Sequence, residues 1–576
     1  MVDGETKITT RNWGASVELS WVLMVILLSV VAFIVVTPLV LTVLSSFQVS
    51  SLGQPTVYGL QGWERMLSDP SILSALRNTF SLSVVRQIIA MIIGLFVVWL
   101  LVRTDMPLKR ELELMFWLSF FLPTLPITLG WILLLDRDAG LFNRWLLALP
   151  FIDRPVFDIN SYWGIIWAHL SASTLGVKVL LLGPAFRNLD AALEESSRTC
   201  GAGALTTLVR VVVPVLTPAI LVSVILGLIR SLESFEIELL LGVPIGLEVY
   251  STKIHDFVTS EPAEYAPATA LSTFFLVVLL LLVAFQKFYT RKKSYQTISG
   301  KGFSTRLMYL GRWRYPACAF VGILAVMITV VPGTALLMGT FMTEFGYFDI
   351  PQPWTLENWR SVLADPFFKR SIKNTLSVGA GAAFVGVFFY AFISYVIVKT
   401  RFRARAILDI LSWLPWAIPG ILLGLALLWT VFATRIAIPI YGTVYLLIIA
   451  MVIKSMPLGV QLFRVTLHQL EDDLEDASWV CGASWIQTYR RIVLPLVAPT
   501  IIVVGVLIFN SAVRDISTVV LLGTAKTQTL ALLALDFSLA GEYGGATVTS
   551  LIMVMLVVVA IFVMSLVTRR FVHGMT

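Results

Sequence analysis

The sequence predicts an all-α integral membrane protein with twelve transmembrane helices arranged as two parallel six-helix repeats. Three observations lead there. The 576 residues are 57% apolar and only 13% charged, outside the range of a soluble globular chain. The apolar residues gather into twelve runs, each near the ~20 residues that cross a bilayer. A ten-residue signature, Leu193 to Ala202, returns as Leu474 to Ala483, 281 positions later. A transmembrane barrel is excluded, because it would carry short alternating segments in place of long apolar runs.

The runs lie near 20–45, 80–102, 114–136, 161–184, 208–230 and 267–288, then 316–342, 375–398, 408–432, 440–463, 491–512 and 546–567. The first runs from Trp21 to about Val43, too long for a signal peptide, and no small-x-small cleavage site follows it. It reads as a retained span. Several runs contain Gly or Pro, which membrane helices tolerate when neighbours re-satisfy the backbone. The three cysteines, Cys200, Cys318 and Cys481, read as small residues in a reducing compartment.

The net charge of +7 informs through its distribution. Basic residues cluster in alternate loops: Arg103, Lys109 and Arg110; Arg291 to Arg314; Lys399 to Arg405; Arg569 and Arg570. The positive-inside rule places these loops in the cytoplasm, and with them both termini. The intervening segment 231–266 is acidic, with seven carboxylates against Lys253. The basic stretches need no nucleic acid to explain them.

The repeat extends beyond the signature. Segment 60–81 matches 356–377, pairing Leu60/Leu356, Trp63/Trp359, Asp69/Asp365, Pro70/Pro366, Asn78/Asn374 and Thr79/Thr375. Leu122-Pro123 recurs as Leu414-Pro415. The first repeat therefore spans 1–290 and the second 316–576, joined by a basic cytoplasmic linker, 291–315. About 11 extra residues enter the first half in an outward loop near 137–160. Six spans per half, an even number, make the repeats parallel. A translocation path would run between them.

Each signature falls between the fourth and fifth span of its half. Aligning 189–220 with 470–501 gives 13 identities in 32 positions. Each copy places a Gly 13 residues before a Pro and a second Pro four residues later, Pro214/Pro218 and Pro495/Pro499. Leu467, Leu470, Leu474, Ala477 and Cys481 fall at i/i+3/i+4 spacing, which predicts one amphipathic helix with an apolar stripe. Gly201 and Gly482 would end these helices in a left-handed turn. A short surface helix of this kind suits a groove on a partner protein.

These segments resemble the EAA loop of ATP-binding-cassette importer permeases, through which an ATPase grips the membrane domain. Where that family has Glu-Ala-Ala, the copies read Glu195-Ser196-Ser197 and Asp476-Ala477-Ser478. The resemblance implies a type I importer fold and an ATPase-coupling role for Glu194, Glu195 and Gly201 in the first loop. In the second loop it implies the same role for Glu475, Asp476 and Gly482. No G-x-x-x-x-G-K-[ST] occurs; Gly300-Lys301 is followed by Gly302. Without a phosphate-cradling loop the chain is expected not to be an enzyme. ATP and Mg²⁺ would sit on two copies of a separate cytoplasmic ATPase, and no cofactor is expected on this chain.

Asp158 to Ile166, Leu189 to Glu195 and Ser231 to Gly242 are similar to fused permeases of ferric-iron importers, a branch that includes 2-aminoethylphosphonate and thiamine permeases. The resemblance implies a bacterial inner-membrane permease that receives ligand from a periplasmic or lipid-anchored binding protein and works by alternating access, with ferric iron the leading cargo. Ionisable residues near the spans are the pathway candidates, since charge in a bilayer is costly and faces a partner or a watery cavity. They are His169, Glu233, Glu236, Arg514 and Asp515, with Lys178 and Lys454. Glu233 and Arg514 occupy equivalent positions, which suggests an ion pair between the halves. Ligation of ferric ion by His169 with Glu233 or Glu236 is conceivable from hard-acid chemistry, but the spacing defines no metal site. The alternative from another class is a proton-coupled secondary transporter, which would not need twin signature loops.

Overall fold

A computed structural model describes residues 13–49, 57–292, 307–400 and 402–573. The protein is a helical bundle embedded in a membrane. Among the described residues nine helices are long and apolar enough to cross a bilayer, and three further pairs of helices, each broken at a sharp bend, bring the spans to twelve when each pair counts as one. Most of the linker and both extreme termini lie outside the described residues.

The second and eighth spans begin about ten residues earlier than apolarity alone predicts, at Pro70 and Pro366. The reason is local chemistry. Asp69 and Asp365 cap these helices, each accepting a hydrogen bond at 2.8 Å from the backbone N–H two residues on, and Pro occupies the first turn, where its missing N–H costs nothing. The next turns carry Asn78-Thr79 and Asn374-Thr375. Asn78 donates to the Glu248 carbonyl and Asn374 to those of Lys526 and Gln528. Thr79 and Thr375 accept from the backbone N–H of Tyr250 and Leu530. Two repeated residues thus tie each of these spans to the segment that follows the fifth or eleventh span.

Three spans predicted as continuous are broken. The third bends by 106° between Lys109–Phe121 and Thr124–Leu135, the ninth by 113° between Arg405–Ala417 and Gly420–Ala433, and the eleventh by 73° between Trp485–Leu496 and Ala498–Val513. Proline accounts for the breaks of the third and ninth. Leu122 and Pro123 are extended, as are Ile418 and Pro419, because a residue before proline is pushed out of the helical region. The eleventh breaks at Val497, between Pro495 and Pro499. The fifth span carries Pro214 and Pro218 yet stays continuous through a π-helical turn at Leu208–Val212.

The halves interlock. The first span packs on the ninth, with Trp21 edge-on to Phe402 at 5.4 Å. The seventh packs on the third so closely that a Cβ on Gly130 would lie 2.2 Å from the Pro332 carbonyl oxygen. Each half therefore contributes its first span to the wall of the other. Large apolar side chains such as Ile92, Leu281 and Phe384 point outward, as expected where hydrocarbon is the solvent.

Within this frame the halves exchange a side chain for a hole. In the first, Lys178 on the fourth span fills the space left by Gly94 on the second. In the second, Tyr390 on the eighth span fills the space left by Gly459 on the tenth, and its hydroxyl donates to the Val452 carbonyl. A Cβ on Gly459 would sit 2.2 Å from the Tyr390 ring. Gly459→Ala is expected to cost about 1–3 kcal/mol of stability, read as a lower melting temperature of the detergent-purified protein. Adding Tyr390→Leu should recover part of that loss, whereas penalties that simply add would show that the ring is not the obstacle.

Candidate translocation cavity and coupling loops

The signature loops form short helices, Ala191–Thr199 and Asp473–Val480, each closed by a left-handed glycine, Gly201 at φ +87° and Gly482 at φ +81°. Both glycines face open space, so it is backbone conformation that selects them. Ser197 meets Thr207, and Ser478 meets Thr488, hydroxyl to hydroxyl at 3.0 Å in both loops.

The six loop residues singled out by the sequence divide into three kinds. Gly201 and Gly482 make the turns, and Glu195 and Asp476 are exposed. Glu194 and Glu475 instead point inward and are buried. Glu194 accepts from Arg103 at 2.5 Å and 3.0 Å, while the same guanidinium donates to the Leu189 carbonyl. Glu475 accepts from the Tyr395 hydroxyl at 2.7 Å, with the Lys399 ammonium at 3.8 Å. Burial pushes the Glu475 carboxyl up, and Tyr395 and Lys399 pull it back; Lys399 also holds the Asp472 carboxyl below its usual range. Arg103 and Lys399 end the second and eighth spans, so each loop is clamped to the same span of its half. Glu194 and Glu475 therefore brace each loop from within, against the end of a span.

The apolar stripe also needs correction. Leu467 belongs to the tenth span, is buried, and is separated from Asp473–Val480 by a turn. Two pairs of exposed apolar residues are matched between loops, Leu193 with Leu474 and Leu205 with Ile486, while exposed Trp479 and Val480 answer to Arg198 and Thr199.

Between the halves lies a cavity of about 300 Å³. The helix breaks open onto it: Phe120 and Thr124 flank the break of the third span, Pro415 and Ile418 that of the ninth. Irregular backbone at membrane depth belongs where it lines a cavity. His169, Glu233, Glu236, Arg514 and Asp515 all reach its wall, as do Lys178 and Lys454. The proposed Glu233–Arg514 ion pair does not form. Arg514 donates to the Phe120 carbonyl at 3.0 Å, satisfying an acceptor at the end of a broken helix, with its guanidinium 5.9 Å from the Phe120 ring centre. Lys454 pairs with Asp515, whose second oxygen accepts from the Thr518 N–H.

His169 does not meet Glu233 or Glu236. It lies 2.7 Å from Glu238, which also accepts from Ser234. Arg86 donates to the Ser231 carbonyl and hydroxyl nearby. The sequence reading did not assign Arg86, Glu238, Arg103, Tyr395 or Lys399 to a site. Arg86 was the readable signal, a single charge inside a long apolar run. Its equivalent under the repeat is Ala382, and those of His169 and Glu238 are Ala450 and Val519. This ionic cluster is confined to the first half.

Twelve spans, a central ionic cavity and two clamped loops define a multi-pass membrane protein. Residues 382–575 match the family described as the binding-protein-dependent transport system inner membrane component. The chain is similar to the ferric transport system permease protein FbpB of Actinobacillus pleuropneumoniae, 28% identical over 67% of this chain and 56% of that protein. It is also similar to the putative ferric transport system permease protein FbpB 1 of Haemophilus influenzae, 26% identical over 81% of this chain and 72% of that one. The probable ABC transporter permease protein y4fN of Sinorhizobium fredii aligns at 25% identity over 95% of this chain and 96% of its own length. The match thus spans little more than half of the Actinobacillus relative and nearly all of the Sinorhizobium one.

Glu194→Gln would leave the Arg103 charge buried without its partner and is expected to cost about 3–5 kcal/mol. Glu195→Gln, at an exposed neighbour, should stay within about 0.5 kcal/mol. Thermal unfolding of the two purified variants separates them, and equal shifts would remove the distinction between brace and surface.

Proposed function

We propose that this chain is the membrane permease of an ATP-driven importer and that its cargo is ferric iron. The observation that carries the reading is the pair of matched loops, each clamped by an ion pair or charged contact to the end of the second or eighth span. The domain match and the ferric-transport names of two relatives support the importer class and the cargo. The family description supports a binding protein as the partner that delivers ligand.

Two copies of a cytoplasmic ATPase would seat against the loops, one each, with Glu195 and Asp476 and the exposed Leu193, Leu205, Leu474 and Ile486 forming the contact. ATP and Mg²⁺ would be held there, since this sequence has no phosphate-binding loop. The basic loops support a cytoplasmic docking face and cytoplasmic termini. A loop drawn toward its twin would carry Arg103 or Lys399 with it. That motion would travel along the second or eighth span to Asn78-Thr79 or Asn374-Thr375, and so to the segments after the fifth and eleventh spans. Those segments, with Glu233, Glu236, Arg514 and Asp515, wall the cavity, so the loops would open and close it by alternating access.

The test is ATPase activity of the purified permease–ATPase complex in nanodiscs, with its binding protein iron-loaded or empty. Iron-loaded protein alone should stimulate hydrolysis several-fold, and Asp476→Lys should lower that stimulation by reversing charge at the contact. Stimulation by a different loaded ligand would overturn the cargo, and the absence of any co-purifying ATPase would overturn the class.

A further inference from the structure

We infer that the central cavity is a binding site for an anionic, oxygen-rich species, and that ferric iron crosses as a complex with an oxyanion ligand and not as the bare ion. This rests on the ferric-importer reading and names the form of its cargo. The wall carries five cations, Arg86, Lys178, Arg230, Lys454 and Arg514, against three carboxylates, Glu233, Glu236 and Asp515. Among the described residues only Lys454 of these cations makes an ion pair, with Asp515. Three of the others lean on neutral groups: Arg86 on Ser231, Lys178 on the Ser223 carbonyl at 2.9 Å, and Arg514 on the Phe120 carbonyl; Arg230 is exposed and lies beside Glu233. Glu238, behind the wall, is engaged by His169 and Ser234, and counting it still leaves the cations in excess.

A trivalent cation entering a net-positive wall inside a membrane would be repelled three times as strongly as a monovalent one. Nor do the carboxylates gather to receive it. Among the described residues no three His, Cys, Asp or Glu side chains are grouped as metal ligands. An ion that brings its own hard oxygen donors meets neither obstacle. Its charge is covered, and its outer oxygens face guanidinium and ammonium groups, the lining that anion pathways use. Arg in particular presents a fork matched to carboxylate and phosphate.

The space and the polar wall agree. A ferric ion with six oxygen ligands at about 30 Å³ each fits within the cavity's roughly 300 Å³. Lys178 is 1% exposed and lines the cavity, and its ammonium donates only to neutral oxygens, the Ser223 carbonyl at 2.9 Å and hydroxyl at 3.4 Å, among the described residues. The site therefore holds a buried cation with no carboxylate of its own.

The experiment is uptake by proteoliposomes holding the permease, its ATPase and its binding protein. The binding protein is loaded with ⁵⁵Fe in the presence of [³²P]phosphate or, separately, [¹⁴C]citrate. Anion label accumulating with ⁵⁵Fe, in a ratio near one or above, is the expected result with at least one of the two. Entry of ⁵⁵Fe alone with both would overturn this inference and leave the iron reading intact. Entry of anion without ⁵⁵Fe, or of neither, would overturn the iron reading and this inference with it. Lys178→Gln should lower ⁵⁵Fe uptake about tenfold, the value of a charge-assisted contact, with Lys178→Arg restoring most of it. Unchanged uptake in Lys178→Gln would remove Lys178 from the site, and the wild-type label ratio decides the matter if that variant does not fold.

Discussion

A charge drawn into the bilayer interior must find its partner inside the chain, because lipid offers none and the penalty for leaving it alone is several kcal/mol. Much of this protein is arranged around that constraint. Where the second span meets its loop, Arg103 and Glu194 are both nearly inaccessible and hold each other at 2.5 Å. The eighth span meets its loop through Lys399, Tyr395 and Glu475, a looser version of the same clamp. At the middle of the bundle the charges gather round a single cavity where water can reach them. Few ionisable groups are left to face hydrocarbon.

The two halves obey the constraint alike at their ends and differently at their centre. The helix-capping aspartates, the Asn-Thr ties, the loop glycines and the loop hydroxyl pairs are the same in both. Around the cavity the correspondence stops. Arg86, His169 and Glu238 answer to Ala382, Ala450 and Val519, and Lys178 occupies the kind of space that Tyr390 fills in the other half. A pore between two unlike walls presents its charges in one orientation only. A fused chain permits this divergence, since two copies of one subunit could not supply it.

The broken spans belong to the same picture. Prolines at 123, 415 and 419 free backbone groups that lipid could not satisfy, and the breaks of the third and ninth spans fall where the cavity can. Arg514 supplies one of the missing donors by reaching the Phe120 carbonyl across the boundary between halves. The position equivalent to Arg514 carries Glu233, and repeat equivalence suggested that the two would pair. Equivalent positions in a pseudo-two-fold lie on opposite sides of the axis, and here the distance between them is occupied by the cavity itself.

The sequence by itself determined the class, the number of spans, the repeat and the place of the loops, because a bilayer demands long apolar runs and writes them one-dimensionally. It also located most of the cavity's charges, since Lys178, Glu233, Lys454 and Asp515 stand out against apolar neighbours, but not Arg86 or Arg230. It could not say which loop carboxylate faces inward, because Glu194 and Glu195 are adjacent and differ only in which side of a short helix they occupy. It could not assign Glu238 to His169, or Tyr395 to Glu475, because those contacts join spans 69 and 80 residues apart and depend on how helices rotate against one another. It read the third, ninth and eleventh spans as continuous because apolarity persists through a bend. Hydrophobicity decides what enters the membrane; only packing decides which face of each helix meets which partner.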